Sequence, residues 1–353
     1  ELKGRTLDAH IGLRYESTDV TSTSAVAAYD RADWIADTEI ALHASGQRDF
    51  QTQTGDYDYL LPNLNFNLEV VDDVMLRAAF SKTIGRPDYV SIQGGTVVGT
   101  LANRSGGSGS SGNPSLLPLE STNYDFSAEW YYAPSSYASM GYFRKDVSNF
   151  ISNTVVDSTI FNLANPADGK KYREALAAVG ADAAAIRNWI FANYPNDPSV
   201  NVAGRVISGK TGEDNTMIFK INTPSNGAQS EVIDGWEFAV QHAFGETGFG
   251  VIANYTMVDS GQAYDNYILA DQPALIGLSD TANGILFYEN DGFQARIAYN
   301  WRDEFLNSRG QGTGANPQYT EAYAQIDASV SYDIPQLDGL TVYVDAINLT
   351  DEY

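Results

Sequence analysis

The chain alternates apolar and polar residues with a period of two. In LPNLNFNLEVVDDVMLRAAFSK, Leu64, Phe66, Leu68 and Val70 alternate with asparagines and Glu69. After Asp72-Asp73 the alternation resumes at Val74, Leu76, Ala78 and Phe80. Successive side chains of a strand point to opposite faces, so this pattern predicts two strands, each half oily and half wet. The same rule holds at Leu7–Tyr15, Tyr124–Tyr132, Phe249–Met257, Phe293–Trp301, Ala324–Tyr332 and Leu340–Ala346. It is weaker at Ala138–Tyr142 and Val232–Val240 and least clear at 281–289. The pattern predicts about eleven strands of roughly ten residues, longer than the ~5–6 typical of soluble strands. A tilted strand crosses a bilayer in roughly 9–11 residues.

The connections alternate too. Short turns are predicted at 71–73, 133–136, 245–248, 289–292 and 335–339. Long segments are predicted at about 16–56, 83–120, 152–229, 258–280 and 302–320. Short turns on one side and long loops on the other characterise outer-membrane barrels. Tyr15, Trp130, Tyr132, Phe293, Trp301 and Tyr332 lie near strand ends, where rings favour the headgroup level. The predicted fold class is therefore all-β: an antiparallel transmembrane β-barrel with long extracellular loops, one of them containing short helices. In a barrel the apolar faces meet lipid, and closure satisfies the backbone.

One long segment contains helical spacing. KKYREALAAVG (170–180) and ADAAAIRNWIFANYP (181–195) place Leu176, Val179, Ile186 and Ile190 on helical periods. Asp182 is positioned as an N-cap, Gly180 divides the pair and Pro195 ends it. The loop at 166–195 is either a lid over the barrel mouth or an insert packed on its neighbours.

Composition narrows the function. The 353 residues carry a net charge of −24 and no cysteine. Such acidity disfavours nucleic acid as a partner. The absence of cysteine excludes disulfides and thiolate metal sites. No apolar run is long enough for a transmembrane helix. His10, His43 and His242 are too scattered for a metal centre, and no cofactor motif is present. Asp125 and Glu129 share one polar face and are the nearest approach to a glycosidase carboxylate pair. Balanced by Arg14, Arg77 and Arg296, they read instead as the lining of a wet lumen.

LPNLNFNLEVVDDVMLRAAFSKTIGRPDY closely resembles a signature of TonB-dependent outer-membrane receptors, in the proteobacterial branch rich in carbohydrate uptake. GNPSLLPLESTNYDFSAEWYY, SMGYFRKDVSNFI, DGWEFAVQHAF and the stretch from AYAQIDASVSYDIP to VDAINLTDEY are similar to further family passages. The resemblance covers nearly the whole chain. It implies that residues 1–353 are one partial receptor barrel, about eleven of 22 strands, with the plug domain and final strand absent. It places the protein in the outer membrane of a Gram-negative bacterium. The implied partners are outer-membrane lipid, the protein's own N-terminal plug, the TonB inner-membrane energising complex, and a small-molecule or oligosaccharide ligand. No covalent chemistry is implied. Carbohydrate is the first ligand expected and a ferric siderophore the second. Sugars stack on aromatic faces and bind planar polar groups. In the loops Trp34, Arg86, Asn103, Arg104, Trp189, Tyr194 and Arg302 are the candidate contacts. Arg86-Pro87 falls within the family signature. The rival class is a soluble, lectin-like β-sandwich whose apolar faces pack inward.

Overall fold

A computed structural model describes residues 5–352 apart from 229, 262–263, 269–271, 273, 311–315 and 338. Eleven long strands form one antiparallel sheet in chain order. They are β1 (Leu7–Trp34), β2 (Ile40–Val71), β3 (Val74–Gly85), β4 (Leu119–Ala133), β5 (Ser136–Ser148), β6 (Glu231–Ala243), β7 (Phe249–Ser260), β8 (Thr281–Asn290), β9 (Phe293–Arg302), β10 (Tyr323–Asp333) and β11 (Thr341–Ala346). Each pairs with the next, and β1 and β11 are its outer strands for most of their length. Every predicted short turn joins two of these strands. Asp73, Ser135 and Asp291 take the positive φ such reversals need, at 64°, 56° and 47°. The indistinct segment at 281–289 is a full strand, β8, paired on both sides.

The register carries the alternation across the sheet. Phe66, Ala78, Phe126, Tyr142 and Trp236 stand side by side on one face, as do Tyr299 and Ile326 further on. No second sheet covers this face among the described residues. Ile11 is 78 % exposed, Ile297 53 % and Val344 67 %. A sandwich needs a facing sheet about 10 Å away, so the soluble-sandwich alternative does not fit this architecture.

Aromatic rings bound the apolar band. Near the short turns, Trp130, Tyr132, His242 and Phe244 make successive ring contacts at 4.9, 5.7 and 4.7 Å. Phe249, Tyr288 and Phe293 continue them at 4.6 and 5.9 Å. At the far side Phe80 meets Tyr124 at 5.4 Å and Tyr142 meets Trp236 at 5.2 Å. Tyr124 and Tyr132 belong to the two belts of one strand. Their spacing corresponds to about 27 Å along the strand, or roughly 20 Å along the axis of a barrel whose strands tilt by ~40°.

One expectation is corrected. The segment at 16–56 is not a loop: β1 and β2 run on for 28 and 32 residues and remain paired to Trp34↔Ile40. The residues there are mainly Thr, Ser, Gln and Asp, so no apolar stripe marks the strands. The ladder persists because segments from other loops cover its inner face. Gly55 makes this possible, since a Cβ there would sit 2.2 Å from the Pro114 carbonyl oxygen.

Candidate functional site

The long connections fold together at one end of the sheet. The hairpin tip is their centre. Val206–Ser208 adds to its β1 side through Asp33↔Ser208 and Trp34↔Ile207. Leu101–Ala102 adds to its β2 side through Ile40↔Ala102 and Ala41↔Leu101. The large buried side chains gather here: Trp34, Ile40, Ile186, Ile190, Ile207, Met217 and Phe219 pack in one cluster. The sheet below leaves both faces uncovered, one apolar and one polar; the dome of loops has a true hydrophobic core.

Helices α1 (Lys170–Val179) and α2 (Ala183–Asn193) lie within this dome. Asp182 accepts the Ala185 amide at 2.7 Å, the N-cap its position predicts. Gly180 closes α1 at φ 77°, its amide donating to the Leu176 carbonyl. Ile186 and Ile190 are buried, Leu176 packs against them, and Val179 faces outward. The helical hairpin is fixed to the β1–β2 tip. The Arg187 side chain, 4 % exposed, donates to the carbonyls of Ile35 at 2.9 Å and Arg205 at 2.5 Å, and to Asp37 Oδ1 at 3.2 Å. Its guanidinium lies 5.8 Å from the Trp34 ring and 5.6 Å from Phe191. Lys171 is buried between Asp197 at 3.2 Å and Glu213 at 3.1 Å. Burial pushes the Asp197 carboxyl up, but hydrogen bonds from the Ser199 amide and hydroxyl and from Lys171 outweigh it and hold the pKa at about 2. Burial raises the neighbouring Asp214.

Beside β1 is a cleft of about 610 Å³, within the range of small-ligand sites. Thr18–Ser22, Tyr57, Arg86, Tyr89, Gln93 and Leu116 line it. Arg86 pairs with Glu16, which also meets Arg14 at 3.1 Å. Tyr89 stands 89 % exposed at its rim.

The structure does not gather the seven sequence candidates into one site. Arg86 lines the cleft. Trp34 is fully buried, so its ring offers no open face to a ligand; it is a core residue. Trp189 and Tyr194 contact each other at 6.2 Å against the same core, and Tyr194 donates to Glu174. Asn103 holds a turn by accepting from the Ser105 amide and hydroxyl, at 2.9 and 2.6 Å. The Arg104 carbonyl accepts from Asn165 at 3.1 Å. Arg302 belongs to a separate loop pair, donating to Ser279 at 2.8 Å and the Gly277 carbonyl at 2.6 Å, 3.8 Å from the Phe305 ring. Sequence reasoning missed Tyr89, Gln93 and Tyr57. Tyr89 was within reach, an aromatic beside Arg86-Pro87 in the same loop.

Of the carboxylates considered for glycoside chemistry, Glu129 is engaged by neighbouring side chains. Both oxygens of Glu129 are clamped by Arg77, at 2.8 and 3.0 Å, and Tyr131 adds a hydrogen bond at 2.7 Å. A bidentate guanidinium–carboxylate pair of this kind ties adjacent strands of the sheet together.

A profile of the family described as "TonB dependent receptor-like, beta-barrel" matches residues 2–349. No curated protein matches the chain. Among solved structures, the ferric-catecholate import receptor Fiu of K12 E. coli is similar at TM-score 0.56 and 12 % identity, over 98 % of this chain and 38 % of that one. The ferric enterobactin receptor PfeA of Pseudomonas aeruginosa, an R480A_Q482A mutant, aligns at 0.53 and 16 %, over 89 % and 39 %. The siderophore receptor PirA of Acinetobacter baumannii aligns at 0.51 and 17 %, over 89 % and 41 %. At these identities the likeness is one of fold, and the chain spans about two-fifths of each matched structure.

Proposed function

This chain belongs to the TonB-dependent receptor β-barrel family, and on that premise we propose that it is part of the wall and extracellular dome of a solute-import receptor in a Gram-negative outer membrane. The observation that carries this reading is one curved sheet, oily on its exposed face, with a folded dome over the end where its long connections gather. The dome captures the solute. A plug inside the completed barrel gates it, and the TonB complex of the inner membrane supplies the energy.

Strand direction supports a larger parent. β1 runs toward the dome, and so does β11, which follows a short turn. Each edge needs an antiparallel neighbour running away from the dome. A second copy rotated about the same axis would bring β11 against β1 in the same direction. A single chain with an even number of strands closes the wall. In our reading that chain supplies one strand after β11 and about ten before β1, with the plug ahead of them.

The cleft's charges favour a neutral oligosaccharide as ligand. Its lining cation, Arg86, is matched by Glu16, and Asp19 adds a further carboxylate. An anionic ferric catecholate calls for unmatched positive charge, whereas the cleft offers the Tyr89 ring, hydroxyls and the Gln93 amide. The second reading, a ferric siderophore, draws on the titles of the solved relatives. Calorimetric titration of the intact receptor with neutral oligosaccharides and with ferric catecholates decides between them. The proposal expects oligosaccharide binding that Tyr89→Ala weakens about tenfold, near the 1–1.5 kcal/mol of a ring contact. Binding of the ferric complex alone, or indifference to Tyr89→Ala, overturns it.

A further inference from the structure

The exposed apolar face carries a hollow of about 540 Å³. Its floor is Ala78 and Ala128, on adjacent strands, and its walls include Phe66, Phe126, Met140 and Trp236. The register fixes this shape, because Ala78 stands between Phe66 and Phe126, and Ala128 between Leu76 and Met140. Backbone ladders on both sides keep the walls from collapsing onto the alanines. At the rim Tyr142 donates to Asp234 at 3.4 Å, so the nearest hydroxyl is already engaged.

We infer that this hollow is a binding site for one acyl chain of a single lipid from the surrounding bilayer. The inference rests on the reading that this face lies in a membrane. The hollow sits between the belt at Phe80–Tyr124 and the belt at Trp130–Tyr132, at the depth of hydrocarbon. Left empty, it would forfeit dispersion contacts along its lining. Water finds too few polar partners there to be held. A hydrocarbon chain is the one molecule abundant at that depth that matches a lining so predominantly apolar. Because strands of a barrel tilt by ~40°, a chain along the membrane normal passes from strand to strand, and the lining of the hollow likewise comes from several neighbouring strands. The rigid walls hold that chain longer than the smooth lipid face on either side.

The test is native mass spectrometry of the intact receptor released from mild detergent. One retained lipid per receptor is expected. The double variant Ala78→Leu/Ala128→Leu fills the hollow with side chains this face already uses, and should lower retention about tenfold, a change of ~1.4 kcal/mol. Ala295→Leu, on the same face but outside the hollow, should leave retention unchanged. Each variant is first shown to be a folded barrel by heat-modifiable migration; if the double variant does not fold, Ala128→Leu alone is read in the same way. Equal retention in the filled variant, no lipid on the unmodified receptor, or a bound protein mass in its place overturns the inference. Lipid contact along β9 together with no lipid in the hollow would sink this inference alone. Absence of lipid contact along β9 would sink the membrane reading beneath it.

Discussion

Replacing Arg187 by Ala should loosen the dome and leave the barrel wall intact. The side chain is 4 % exposed and holds the carbonyls of Ile35 and Arg205 with Asp37. Truncation removes the donor from both carbonyls and the plane between Trp34 and Phe191. A hydrogen bond from a charged group is worth about 1.5–3 kcal/mol, so losing these two should cost roughly 3–6 kcal/mol. Asp37 is 56 % exposed, so Asp37→Ala should cost less than about 1 kcal/mol. Hydrogen exchange on the intact receptor reads the difference. Amides of 31–42, 183–194 and 205–209 should exchange roughly 10²- to 10³-fold faster in Arg187→Ala, while β4 and β5 keep their protection. Unchanged exchange in those segments, or equal acceleration in both variants, would refute the claim that this one guanidinium pins the helices to the hairpin.

Acid should act on the dome through Asp197. Its pKa falls from an ordinary ~3.9 to about 2. The stability it contributes is therefore full above pH ~4 and is lost as pH drops toward 2. Asp214, raised by burial, acts in the opposite sense just above its ordinary range. Faster exchange over 170–200 between pH 4 and 2 should be flattened by Asp197→Asn; a transition of the same size in that variant counts against the assignment. Gly55→Ala should cost about 1–3 kcal/mol, because its Cβ would press on the Pro114 carbonyl. Limited proteolysis within 112–118 should then quicken, and an unchanged cleavage rate would show that the contact gives way freely. Ile297→Lys should destabilise the barrel by about 2–4 kcal/mol in vesicles, and Arg296→Ala by no more than ~0.5 kcal/mol. Denaturant unfolding compares them, and equal effects would contradict the two-faced sheet.

The barrel wall was legible because its signal is local and periodic. Most strands of the apolar band show their own alternation, β8 being the indistinct one, and each short turn is marked by Asp, Asn, Gly or Pro. The upper halves of β1 and β2 were not legible. Thr, Ser and Gln carry no apolar stripe there, and what covers them is Pro114 and Gly94, from a distant loop. The helices were readable from spacing and from Asp182. The candidate site was only partly so. Aromatic identity picked out Trp34, Trp189 and Tyr194, yet a ring packs in a core as readily as it stacks on a ligand. Burial decides between these roles, and in the dome it is set by long-range contacts between three loops. Arg86 reached the cleft because its loop crosses to the edge of β1, a path that no local pattern encodes.

The central claim is that alternate residues of the sheet face lipid and water. Phe293–Arg302 tests it most directly, since the chain has no native cysteine and single cysteines can be placed along β9. Spin labels at 293–301 in the vesicle-embedded receptor would be read for collisions with oxygen and with a water-soluble nickel complex. The account predicts a period of two: oxygen favoured at 293, 295, 297 and 299, nickel at 294, 296, 298 and 300. Uniform exposure to nickel, or no alternation, would contradict it.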